Sequence, residues 1–152
     1  MARTRDFPAI ATFGTAFRFA LEAEAAAAEL AAAAEAHAPT QAWRTKLEEL
    51  VCTHQDREAK LTVIRQEVNE MILEPLSGID GSAFLAALGA EPAGRWPAAA
   101  EQVIRAEEEA AAFHEEFVAK AEDVLAASAR AFKRAAKQER EAAAQLREML
   151  AG

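Results

Sequence analysis

Along residues 43–71 the side chains that read as core recur at alternating steps of four and three: Trp43, Leu47, Leu50, His54, Arg57, Leu61, Ile64, Val68 and Met71. The same rhythm returns near the C-terminus as Leu125, Ala129, Phe132, Ala136, Glu139, Ala143, Leu146 and Leu150. Steps of four and three bring side chains to one face only on an α-helix, so each run is one stripe of a packed helix. Both stripes are apolar except at their middles, where His54 and Arg57 interrupt one and Glu139 the other. Burying an unpartnered polar group costs about 2–7 kcal/mol, so these groups must be paired or bound, and a site belongs there.

The rest of the chain agrees with helix. Alanine dominates, tyrosine is absent, and the strong helix formers Glu, Leu, Lys and Arg supply most of the remainder. No window alternates Val, Ile or Thr with polar residues for more than a few positions, so strands are not expected. A chain of 152 residues makes one ordinary domain.

Breakers and caps divide that domain. Helix A starts near Thr12 or Thr15, either of which can accept from free backbone N–H groups, and runs over 12–36. Pro39 interrupts the pattern and Thr40 caps helix B, which covers 40–72 and is stopped by Pro75. Four glycines and three prolines lie between Leu73 and Pro97, which marks residues 73–96 as a long crossover. It carries a short helix over 82–88, capped by Asp80 or Ser82 and ended by Gly89. Helix C covers 97–122 from Pro97, a favoured first-turn residue, and helix D covers 125–150. From Pro97 to Leu150 there is no proline or glycine, so the break between C and D is inferred near 122–128, with Asp123 as its cap. The rival is one unbroken helix of about 80 Å, at about 1.5 Å per residue.

Several function classes are excluded. The net charge of −8 opposes nucleic acid and anionic lipid. Residues 23–38 are interrupted by Glu24, Glu29 and Glu35 and cannot span a membrane, and residues 1–10 lack the apolar core of a signal peptide. The single cysteine, Cys52, cannot close an internal disulfide, which fits a cytoplasmic protein, and beside Leu50 it reads as a small buried hydrophobe. Triad chemistry, phosphate loops and zinc-ribbon spacing are absent, and Gly78-Ile79-Asp80-Gly81 reads as a turn. Arg130, Lys133, Arg134, Lys137 and Arg140 form a basic stripe on helix D. Residues 128–150 hold six basic and three acidic side chains against two and eight in 101–123, so C and D complement each other.

The chain also repeats itself. Shifting residues 17–61 by 85 brings them onto 102–146 without a gap, with Phe19 on Ile104, Glu22 on Glu107, Glu24 on Glu109, Leu47 on Phe132, His54 on Glu139 and Leu61 on Leu146. Polar intrusions fall on polar intrusions, which describes two helical hairpins, A–B and C–D.

Two hairpins with a long crossover resemble the ferritin-like, rubrerythrin-related four-helix bundle, over about residues 12–150. The resemblance implies an inward Glu on helices A and C and a Glu-x-x-His motif on helices B and D, together holding two iron or manganese ions. Glu22 and Glu107 take the helix A and C positions, with Glu24 and Glu109 as close rivals. On helix D, Glu139 takes the motif's Glu position, but Ala142 stands where the histidine belongs. On helix B the motif reads His54-x-x-Arg57, and His114 replaces the tyrosine often found one turn on from the helix C carboxylate. The metal set implied by the resemblance is therefore Glu22, His54, Glu107 and Glu139. A guanidinium cannot ligate a metal, but Arg57 can neutralise carboxylates that would otherwise face one.

Three functions follow as expectations. The first is a bundle with an incomplete metal site that is a non-catalytic binding or structural protein. The second is a rubrerythrin-like iron or manganese protein handling oxygen or peroxide. The third is a coiled-coil adaptor built on the long-helix alternative. A mononuclear site around His54 and His114 is a variant of the second; otherwise His54 bonds a facing Glu and His114 sits at the bundle edge. Alanine-rich helix faces also leave room for a homodimer.

Overall fold

The computed structural model describes residues 7–67, 74–76, 78–122 and 125–152. Those residues form five α-helices and no strand: α1 (Phe13–Glu35), α2 (Gln41–Glu67), α3 (Ser82–Gly89), α4 (Ala98–Ala121) and α5 (Ala126–Ala151). None of them is long and apolar enough to cross a membrane.

Local chemistry explains where the helices start. Thr12 caps α1 through a reciprocal pair: its Oγ1 accepts from the Thr15 N–H at 3.1 Å, and Thr15 Oγ1 accepts from the Thr12 N–H at 2.9 Å. Thr40 Oγ1 accepts from the Trp43 N–H at 3.2 Å and so caps α2. The last turn expected for helix B, with Val68 and Met71, lies outside the described residues, as does Asp123. Leu125, which precedes α5, has a non-helical backbone (φ −128°, ψ 67°) that breaks the helical run. Residues 98–151 are thus two helices and not the single rod.

Side-chain pairs fix how the helices lie. Arg140 meets Glu115 at 2.8 Å and Arg147 meets Glu108 at 2.8 Å, a register in which α4 and α5 run antiparallel. The α1–α2 pair is joined by a short turn and packs along its length; α1 and α4 bring the two hairpins together. By contrast, α2 and α5 touch only sparsely. The crossover is tied back to the start of α1, where Phe13 N–H donates to Glu74 O at 3.1 Å and Leu76 N–H to Ala11 O at 2.9 Å.

Aromatic rings cluster in the interior. Phe117 stacks on Phe132 with centroids 4.0 Å apart, and Phe17 meets both edge-on at 5.5 and 5.3 Å. A second group, Phe19, Phe84 and Phe113, fastens α3 onto the bundle. Gly81 precedes α3 against this group because a Cβ there would sit 2.8 Å from Phe19 Cζ. Trp43 and Trp96 pack edge-on at 4.7 Å beside the start of α2. Cys52, expected to be buried, is exposed: it stands two residues from both Leu50 and His54 and so faces away from the seam that carries them.

Candidate functional site: a buried ion-pair cluster

The 4-3 rhythm that places His54 and Arg57 inward on α2 also runs through α1 as Phe17, Ala20, Glu24, Ala27 and Ala31, and through α4 as Val103, Glu107, Ala110, His114 and Phe117. All ten of these side chains are buried. With Glu139 from α5, each long helix therefore delivers polar groups to one level of the core.

The contacts there form a connected network. His54 lies between two carboxylates, with Nδ1 2.8 Å from Glu24 Oε2 and Nε2 2.6 Å from Glu107 Oε1. With both ring nitrogens against carboxylates, both donate, and His54 is an imidazolium. Arg57 Nη1 donates to Glu24 Oε1 at 3.0 Å and to Glu139 Oε2 at 3.2 Å, while Nη2 donates to Gln138 Oε1 at 2.9 Å. His114 Nδ1 and Glu139 Oε1 are 2.6 Å apart and share a hydrogen. His114 Nε2 is buried and has no hydrogen-bond partner among the described residues.

The electrostatics follow from burial against pairing. Burial works against a charged His54, but the Glu107 carboxylate and then Glu24 overcome it and hold the imidazole up at about 10. Burial would raise Glu24, yet the hydrogen bond and charge of His54, with Arg57 beside it, bring its carboxyl below the usual value. Glu139 goes the other way: burial raises it, the nearby Glu24 charge adds to the rise, and His114 and Arg57 only partly offset it. Arg57 is pushed down by burial and more than restored by Glu24 and Glu139. Glu24, Glu107 and Glu139 thus face His54, Arg57 and His114.

Of the four ligands implied by the family resemblance, His54, Glu107 and Glu139 meet in this cluster. Glu22 does not; it is half-buried, and Glu24 takes the α1 place. The reason is rotation. The two inward carboxylates Glu24 and Glu107 are 83 apart in sequence, not the 85 of the repeat, and a two-residue offset turns a side chain more than half-way round a helix. The seam spacing of α1 itself, counted from Phe17, was the signal that selects Glu24. His114, expected at the bundle edge, is 1% exposed and bonded to Glu139. Glu109, the helix C rival, is half-buried and Glu107 is the inward residue.

The six-ligand di-metal set does not fit these residues. A guanidinium, which is always protonated, stands between Glu24 and Glu139, and both nitrogens of His54 are engaged, by Glu24 and Glu107. What does converge is smaller: one ligand atom each from Glu24, His54 and Glu139 lie within 4.8 Å of one another. Comparison of the chain with protein-family models, with curated proteins and with solved structures finds no match.

Proposed function

We propose that this chain is a ferritin-like, rubrerythrin-related bundle in plan, in which an internal ion-pair network stands where that family holds its metals. Its work is then non-catalytic binding by the helical scaffold. The single observation that carries this reading is Arg57 Nη1 between Glu24 and Glu139, at 3.0 and 3.2 Å. A permanent cation on a tether supplies the charge that a divalent ion would otherwise bring to the same oxygens, and it excludes that ion by repulsion. Two hairpins joined by a crossover, with polar groups at matching levels, support the family plan.

The test is elemental analysis of protein from cells supplied with iron and manganese, purified without chelator or metal resin. Less than one tenth of an ion per chain is the expected result, with unchanged helicity. Two ions per chain would overturn the reading.

A second reading rests on the convergence of Glu24, His54 and Glu139. These two carboxylates and one imidazole are a donor set that a single zinc or manganese ion accepts once His54 has given up a proton. Uptake of one ion per chain, rising steeply with pH and lost in Glu139→Ala, would establish it. Iron or manganese chemistry on oxygen or peroxide becomes worth assaying only after such uptake is seen.

A further inference from the structure

The weak meeting of α2 and α5 leaves a cleft of about 550 Å³ between them, beside the ion-pair cluster. Volumes of this order hold small organic ligands. The apolar part of its lining is Leu61 and Ile64 from α2 and Ala131 and Ala135 from α5. Alanines on α5 opposite leucine and isoleucine on α2 leave the width that a fuller side chain would close. Val63 at its edge is 54% exposed, the more exposed of the two exposed large hydrophobics among the described residues.

The charges at the cleft run against those of the molecule. Arg57, Lys60 and Arg134 line it with only Asp56 to oppose them, on a chain of net charge −8. Lys60 and Arg134 are exposed and make no ion pair with a described residue. Arg57 is 7% exposed and lies at the floor. Its Nη1 is committed to Glu24 and Glu139, but its Nη2 meets only the neutral amide oxygen of Gln138, which also lines the cleft. A carboxylate is a stronger acceptor for that N–H than an amide and would displace a side chain that is free to swing into solvent.

We infer that the α2–α5 cleft binds a small monocarboxylate with an apolar body. The carboxylate meets Arg57 Nη2, flanked by Lys60 and Arg134, and the body lies between Leu61 and Ile64 on one wall and Ala131 and Ala135 on the other. The chemistry suits one anionic head and an unbranched tail. This rests on the proposed binding role.

The test uses the full chain and three probes: decanoate, decan-1-ol and acetate. They are titrated by calorimetry at pH 7, with amide chemical shifts of Ala131 and Ile64 as the local readout. Decanoate is expected to bind at least tenfold tighter than either decan-1-ol, which lacks the charge, or acetate, which lacks the body. The double variant Lys60→Glu/Arg134→Glu, whose changes are both on the surface, should weaken decanoate at least tenfold with helicity unchanged. Equal affinity for decanoate and decan-1-ol overturns the proposal, and so does an unaltered affinity in the double variant. Absence of decanoate binding at about 1 mM also overturns it, and needs no variant to be folded. Metal content of the same sample tests the underlying reading separately: stoichiometric metal overturns that reading, whereas failed decanoate binding overturns this one alone.

Discussion

Arg57 on α2 reaches Glu139 on α5 over 3.2 Å, although the two helices have few other contacts. The ion pair is therefore a main fastening between these helices, and it sits where water is excluded. Removing one member of a buried pair strands the other, at a cost of about 3–5 kcal/mol. Arg57→Met is expected to lower the urea unfolding free energy by that amount at pH 7. Adding Glu139→Gln should restore part of the loss, because the second change removes the stranded charge. A double variant less stable than Arg57→Met would show that the pair does not act as a unit.

The imidazole of His54 makes stability depend on alkali. Its pKa in the fold is about 10 against an ordinary 6.5, so the stabilisation is complete below pH 6.5 and is lost as pH rises towards 10. The urea midpoint should fall across that interval, with a total loss of about 2–5 kcal/mol. Glu139, raised by burial, also favours lower pH, whereas the lowered carboxyl of Glu24 gives stability that is lost only as pH falls below its ordinary 4.5. His54→Gln should flatten the alkaline slope while reducing stability at neutral pH. A wild-type midpoint constant from pH 7 to 10 would contradict the charged imidazole.

Arg140 offers a control. Its two-pronged contact with Glu115 is as short as any in the cluster's arginine contacts, at 2.8 Å, but the side chains are 48% and 51% exposed. Solvent and salt screen such a pair, so Arg140→Ala should cost less than about 1 kcal/mol. In high salt even this difference should vanish, while the Arg57→Met effect remains. Comparable losses at the two positions would mean that burial does not govern their strength.

Phe132 lies at the junction of Phe17, Phe117 and the ring of His114, and is fully buried. Phe132→Ala removes the stacked ring and leaves a cavity beside a polar group. A loss of about 3–5 kcal/mol is expected from thermal or urea unfolding. Phe132→Leu, which keeps most of the volume, should lose less than half as much.

A candidate cap can be tested with the same measurement. Thr12→Ala breaks one half of the reciprocal Thr12–Thr15 pair at the start of α1. The expected loss is about 0.5–2 kcal/mol, and Thr12→Ser should recover most of it.

Helical character was legible in the sequence because period and propensity agree over long stretches, as from Trp43 to Ile64. The level of the polar cluster was legible too, since His54, Arg57 and Glu139 interrupt apolar seams. The choice of carboxylate on α1 was not, because Glu22 and Glu24 lie in an alanine background where neighbouring registers look alike. Only the face holding Phe17 and Ala20 decides between them. The pairing of His114 with Glu139 was equally hidden. It depends on the antiparallel offset of α4 and α5, and no proline or glycine marks where the chain turns between those helices. The exposure of Cys52 follows from its spacing: it lies two residues from both Leu50 and His54, and two steps along a helix turn a side chain by about 200°, onto the opposite face.

Alanine has a cost as a packing residue, for one methyl resembles the next. Sliding the middle of α1 along α2 by a turn would exchange Ala20, Ala23 and Ala27 for near equivalents and change few apolar contacts. It would also carry Glu24 away from both His54 and Arg57, leaving a carboxylate sealed among methyl groups. The polar cluster therefore acts as a key cut into an otherwise smooth barrel: it admits one alignment of the four long helices and penalises the others.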